Sequence, residues 1–500
     1  MIRSINRRVL LGSAVGAGLT VSFARGPVRA ADLPAVTLTG GEATLGESTV
    51  AAFAKSLAGK VLRAGDADYD AARKIWNAMF DRRPALIARC ASTADVVTAV
   101  KFARDHNLLT AVRCGGHSIS GQSVVERGLV IDLTPLNTVS LDAAAKTVKV
   151  GGGCLLGDVD RAAQKAGLAS TFGVVSHTGV GGLTLGGGMG RLQRQFGMAV
   201  DNLLEVELVT ADGRVVTANA QQNQDLYWGV RGGGGNFGIV TMFKFRLHDY
   251  AYPVMTQSFS FAQADAKTVI RNYFDYGHTK APDQLWLTCN LNANAKGEVT
   301  ASVSGSYLGS PTDAEKTLAV LGGFAKATGT RSNTMTYVDL QSSIDKFTMP
   351  GEFHYAKGGM LGGDEASTGP ALIDAMFDYY VANPKPGTHA TLLLMGGAIN
   401  RVAADATAYP HRAAMHNIDV GGEGTTMAEG ESVRDWGRAF WARLEKFSGN
   451  SFYVNSLMDD SAARVQGNYG PNYERLVALK TKYDPANFFR LNANIKPKVT

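Results

Sequence analysis

Beyond residue 30 the chain has no apolar run approaching the roughly 20 residues a membrane span needs. It also lacks a charge excess. The formal net charge is +6, but residues 1–30 hold Arg3, Arg7, Arg8, Arg25 and Arg29 and no acid. Taking these five from 50 basic residues leaves 45 against 44 acidic ones. A near-neutral chain offers no electrostatic footprint for nucleic acid or for an anionic membrane. Cysteine is scarce as well. Cys90, Cys114, Cys154 and Cys289 show no metal-ligand spacing, so no metal site is expected. Cys90 and Cys114 each end an apolar run, with a helical stretch between. In a βαβ unit those strands would be parallel neighbours, which leaves two readings, a disulfide or two free buried thiols.

A hydrophobic content of 45% with 19% charged residues is that of a globular chain, and 500 residues exceed one ordinary core. The N-terminus reads as a twin-arginine export signal. Arg7-Arg8 precedes a glycine-diluted apolar run, and Val28-Arg29-Ala30 fits a cleavage site. Asn6 stands where Ser or Thr usually precedes the arginine pair. That route carries folded proteins, so the mature chain is expected in the periplasm or outside the cell.

Glycine is abundant, at 58 residues, and it is concentrated. One turn is Arg113-Cys-Gly-Gly-His117-Ser118. A second block runs from Gly179 to Gly190 as Gly-Val-Gly-Gly-Leu-Thr-Leu-Gly-Gly-Gly-Met-Gly. Glycine lets a backbone approach a ligand that a Cβ would push away, and successive N–H groups form nests for pyrophosphate. Two such turns with a histidine beside the first suggest a flavin dinucleotide held by backbone.

Residues 85–132 alternate strand, helix, strand, turn and strand. Residues 206–216 read as a hairpin around Asp212-Gly213, and 223–230 as a short helix stopped by four glycines. From about 250 the pattern changes to long alternating strands at 284–289, 299–307 and 390–395. Helices at 314–327 and 372–381 separate them, and a helix at 473–483 follows. The expected fold class is α+β, with an antiparallel sheet covered by helices. The expected division is 1–30 signal, 31–250 cofactor domain, 251–450 substrate domain, and 451–500 returning to the cofactor domain.

These blocks resemble the flavin-linked oxidases of the berberine bridge enzyme group, within the vanillyl-alcohol oxidase superfamily. The resemblance also rests on Val200-Asp-Asn202, Asp225-Leu-Tyr-Trp-Gly-Val-Arg-Gly232, Asn236-Phe-Gly-Ile-Val240, Tyr453-Val-Asn455 and Asp484-Pro-Ala-Asn-Phe-Phe489. It implies a two-part FAD-binding domain of the PCMH type. FAD contacts would fall on Arg113, Cys114, Gly115, Gly116, His117 and Ser118, on Gly179, Gly182 and Gly187, on Asp201, on Gly238, Ile239 and Val240, and on Asn492. His117 would bond covalently to the flavin 8α-methyl. Many members add a cysteine tether, but its place here is Val175, so a single tether is expected. His177 lies close by, either facing the flavin or bound to backbone. Thr178 is a small residue in a region that admits oxygen in the family.

The resemblance further implies hydride transfer from a small-molecule substrate, with O2 as electron acceptor. Tyr453 would be the base. Asp419 would take its proton, and Lys357 would stabilise phenolate. Turn-flanking and solvated roles for Asp419 and Lys357 are the alternatives. The substrate would be an alcohol such as an oligosaccharide, or a cyclic amine. A dehydrogenase, a redox-neutral enzyme and a flavin-binding protein without turnover are further readings. Trp286, Tyr307, His354, Tyr355 and His416 are candidates for the cavity wall.

Overall fold

The computed structural model describes residues 32–456, 458 and 461–498. The export signal expected at 1–30 lies outside them. Apolar runs build a first sheet in the order Lys60–Leu62, Leu86–Arg89, Leu129–Asp132, Thr110–Arg113. The last three strands are parallel, joined in part by the helix Thr93–Asp105. Ser92 caps that helix by accepting from the Asp95 amide at 3.1 Å. The buried Asp95 carboxylate in turn accepts from the amides of Ala58, Gly59 and Ala91, which fixes the helix start to the sheet edge.

The strand order decides between the two readings of Cys90 and Cys114 in favour of free thiols, and corrects the expectation that their strands are neighbours. Leu129–Asp132 lies between the two strands that end at these cysteines, so they are second neighbours, roughly 10 Å apart. All four cysteines are free thiols.

A second, antiparallel sheet takes the order Val215–Asn219, Leu203–Val209, Ile239–Arg246, Thr147–Gly151, Val139–Asp142. The hairpin turns at Asp212-Gly213, with Val209 opposite Val215 and Gly213 at φ +79°. Two of its strands flank the approach to glycine-rich loops.

Period-two alternation between 254 and 424 gives a seven-stranded antiparallel sheet. Its central strand Leu285–Ala293 shows the logic. Leu285, Leu287, Cys289 and Leu291 are buried beneath the helices Ala266–Thr279, Pro311–Ala319, Pro370–Ala382 and Met427–Ser448. Each such leucine contributes about 2 kcal/mol by leaving water. Trp286, Thr288, Asn290 and Asn292 take the opposite face. The expected helix at 314–327 stops earlier. It passes into a 3-10 turn at Val320–Phe324, which holds Gly322-Gly323, and Ala327 already begins a strand. The 22-residue helix Met427–Ser448 has a capping box, with Thr426 and Glu429 bonded reciprocally.

The chain end docks on the glycine-rich loop before Ile239. Lys480 is fully buried. Its Nζ donates to Asp484 at 2.6 Å and to the carbonyls of Asn236 and Phe489 at 2.8 Å. Asp484 also accepts from the amides of Phe488 and Phe489. Asn236 accepts from the Ile495 amide and donates to the Ala493 carbonyl. Among the described residues no helix is long and apolar enough to cross a membrane.

Candidate active site

A cavity of about 510 Å³ opens where the two smaller sheets, the seven-stranded sheet and the chain end meet. Backbone makes much of its wall. Cys114, Gly115, Gly116, His117 and Ser118 line it from one side, and Gly179, Gly181, Gly182 and Gly186 from another. The two glycine blocks touch. A Cβ on Gly115 would stand 2.5 Å from the Gly179 nitrogen, and one on Gly179 2.3 Å from the Gly115 nitrogen. Glycine is required at both for this backbone contact. Gly182 and Gly235 differ, because a Cβ on either would meet nothing within 4 Å. Both line the cavity, so the missing side chains leave room for a ligand rather than for protein.

Gly238, Ile239, Val240 and Asn492 also line it, as does Tyr453. Asn492 donates to the carbonyls of Gly235 and Phe489, while its Oδ1 has no protein partner. A polar atom left over at a backbone-walled cavity suits a polar cofactor. Bare amide backbone, apolar lining such as Leu133, Ile239 and Leu491, and a leftover acceptor together fit FAD.

Three expected contacts lie off the wall. Arg113 donates to the Ala72 carbonyl, and its guanidinium backs Gly116. Gly187 packs against Met198 and Tyr409 with φ +127°. Asp201 forms a two-pronged pair with the buried Arg412 at 2.7 and 2.8 Å, and also accepts from the Met198 amide. That pair ties the turn after the second glycine block to the loop at 407–412.

Tyr453 is the best-defined polar group on the wall. Its oxygen receives the amides of Gly188 and Met189, each at 3.1 Å, and Asn455 Nδ2 at 2.8 Å. Burial raises the phenol's pKa, and the three donors pull it back. Asn455 is fixed in turn by donating to the Leu183 carbonyl at 2.9 Å.

The expectation that Asp419 receives the Tyr453 proton is not met. Asp419 lies on the strand His416–Gly424, and its Oδ1 is 3.2 Å from His389 Nε2 on the adjacent strand. It makes no hydrogen bond to Tyr453. Burial alone would lower the His389 pKa, but the Asp419 carboxylate more than offsets this and raises it. Lys357 stands opposite Val420, which packs under the helices, so Lys357 takes the face away from Asp419. The groups around the Tyr453 oxygen are instead the amides of Gly188 and Met189 and the Asn455 side chain, N–H donors that can stabilise a phenolate but cannot take its proton. Sequence offered a signal for Asn455 in the Tyr-x-Asn spacing. It offered none for the amides.

Of the five wall candidates only Trp286 lines the cavity. Tyr307 packs in the helix-side core, Tyr355 against Gly437, and His416 is buried against Tyr273 and His278. His354 stacks on Trp76 at 3.8 Å, and Trp76 is a wall residue missed in the sequence. Val175 and Thr178 line the cavity. His177 meets His117. Among the described residues no group of three or more His, Cys, Asp or Glu is placed to hold a metal.

Such a fold around such a cavity is that of an FAD-dependent oxidoreductase. The FAD binding domain family matches residues 84–219, and the family described as berberine and berberine like matches 452–496. An FAD-linked oxidoreductase of Dictyostelium discoideum is 31% identical over 89% of this chain and 96% of its own. The chain belongs to the berberine bridge enzyme-like family of FAD-linked oxidoreductases. The (R)-6-hydroxynicotine oxidase of Paenarthrobacter nicotinovorans is 29% identical over 89% of this chain and 98% of its own. A crystal structure of the 6-hydroxy-D-nicotine oxidase from Arthrobacter nicotinovorans superposes with a TM-score of 0.80 at 28% identity. It covers 89% of this chain and 99% of that one.

Proposed function

We propose that this protein is an exported FAD oxidase that takes hydride from a carbon bearing a hydroxyl group and passes the electrons to O2. The observation that carries this reading is the Tyr453 oxygen, held by three N–H donors at the cavity wall. Donors aimed at an oxygen favour its anionic form, which is what a phenolic base needs. Tyr453 takes the substrate hydroxyl proton as the C–H bond loses hydride. The bound flavin supplies the hydride acceptor.

Residues 114–118, Gly179, Gly181, Gly182 and Gly186, the wall residues among 234–240, and Asn492 hold FAD, and His117 is its single covalent tether. Burial pushes His117 down to about 3, so its imidazole stays neutral and nucleophilic. Val175, at the position of the second tether in other members, has no group to bond. Trp286 and Leu393 form an apolar platform, and the same sheet face continues as Thr288, Asn290, Thr391 and the serines at 302 and 304. That run of hydroxyls and amides suits a polyhydroxylated substrate such as an oligosaccharide. The twin-arginine reading of 1–30 supports export in the folded state.

A second reading is oxidation of a C–N bond in a cyclic amine. The relationship to the nicotine oxidase supports it.

Acid precipitation of the mature protein, followed by oxygen-uptake screening, tests these readings. Yellow colour in the pellet and peroxide formed with oligosaccharides support the first. Peroxide with cyclic amines alone moves the second to the front. Flavin reduction without oxygen uptake replaces the oxidase with a dehydrogenase.

A further inference from the structure

Two imidazoles meet at the cavity wall. His117 Nε2 lies 2.6 Å from His177 Nδ1. The first glycine turn supplies one ring, and the approach to the second supplies the other. The His117 ring is held on its face too. Trp76 stacks on it at 4.8 Å with a 16° interplanar angle, and Trp76 is itself fixed by donating to the Thr348 carbonyl at 2.7 Å. His117 therefore presents its ring in one orientation, with one edge occupied.

A hydrogen bond this short between two ring nitrogens has one proton in it. When His117 Nε2 donates, its lone pair lies on Nδ1, which has no hydrogen-bond partner among the described residues. His177 then carries its own proton on Nε2, which is buried and has no protein partner. We infer that His177 is the positioning residue for flavin attachment: it fixes the His117 tautomer, accepts the Nε2 proton, and directs the bond to Nδ1. This rests on the reading of His117 as the tether.

The step balances. The Nδ1–C8α bond forms as one C–H bond of the flavin methyl breaks. That bond's electron pair remains in the isoalloxazine, which ends reduced by two electrons. The methyl proton and the Nε2 proton, the latter relayed by His177, supply the two protons of the reduced ring. O2 then removes two electrons and two protons as hydrogen peroxide.

The test follows attachment itself. Wild type, His117→Ala, His177→Ala and His177→Gln are produced without flavin and then given FAD. Covalent flavin is read over time as fluorescence on a denaturing gel, and bound FAD by absorbance. The wild-type flavinyl peptide is examined by NMR for the nitrogen bonded. The expected result is an Nδ1 link in the wild type. His177→Ala should bind FAD but attach it at least tenfold more slowly, with a rate that rises with pH and is restored by added imidazole. His177→Gln can accept the hydrogen bond but not the proton, and should also be slow. Wild-type attachment rates in both His177 variants, or an Nε2 link in the wild type, overturn the inference while leaving His117 as tether. Absence of covalent flavin from the wild type overturns the tether reading and this inference with it.

Discussion

Asn455 Nδ2 donates to the phenolic oxygen of Tyr453 at 2.8 Å, two residues back along the chain. The spacing brings phenol and donor from one short segment, and the amides of Gly188 and Met189 complete the shell. Tyr453→Phe removes the oxygen that all three address. Anaerobic flavin reduction should then slow by about 10²–10⁴-fold, the usual contribution of a positioned base, with FAD retained. Stopped-flow absorbance measures this, and near-normal reduction would refute the assignment.

Asn455→Ala removes one donor and leaves two. Flavin reduction should fall less than in Tyr453→Phe, and its pH dependence should move to higher pH because the phenolate loses a stabilising bond. A pH profile of the reduction rate checks the direction.

Gly182 sits within the helix Val180–Leu185, where alanine is favoured by about 1 kcal/mol over glycine. A Cβ there meets no protein atom. Gly182→Ala should therefore leave the flavin-free protein as stable or more so, yet lower FAD occupancy. Melting temperature and bound-flavin stoichiometry should move in opposite senses. A loss of both would show that the position is confined by protein.

Asp160 is buried on the helix Leu156–Gln164, where it accepts from Gln341 Nε2 at 3.1 Å. Burial raises its pKa to about 7, against a usual value near 3.9. Asp160 Oδ1 and Gln341 Oε1 both lack partners, and a proton on the carboxyl would supply the missing donor. A raised folded pKa means that this stability is complete below pH 4 and is lost as pH rises through 7. Asp160→Asn should stabilise the protein at pH 8 by on the order of 1–3 kcal/mol and flatten stability between pH 4 and 7. Urea unfolding at several pH values tests this.

Lys480→Met leaves Asp484 buried without its cation. Such losses cost about 3–5 kcal/mol, and the chain end should loosen from the Asn236 loop. The readout is faster hydrogen exchange at the amides of 488–495, which accompanies a lower melting temperature.

Much of this molecule was legible in short stretches. The hairpin at Asp212-Gly213 and the helix at 473–483 follow from turn chemistry and periodicity, and the two glycine blocks announce a backbone-walled site. Long-range order was less legible. Nothing local to Cys90 or Cys114 reveals that Leu129–Asp132 inserts between their strands. Alternation around Asp419 gives its face of the sheet but not its partner, and the partner is His389. The donors to Tyr453 were missed because backbone amides carry no residue signature. The His117–His177 contact joins segments whose meeting depends on Gly115 and Gly179 packing backbone to backbone.

Phe489, Leu491, Asn492 and Ala493 close one wall of the cavity, and they stand near the very end of the chain. Phe489 gives its carbonyl to Lys480 and its amide to Asp484, so this wall hangs on a buried ion pair rather than on the sheets. Detached, the segment would leave an open trough; seated, it acts as the latch that keeps a bound molecule in place.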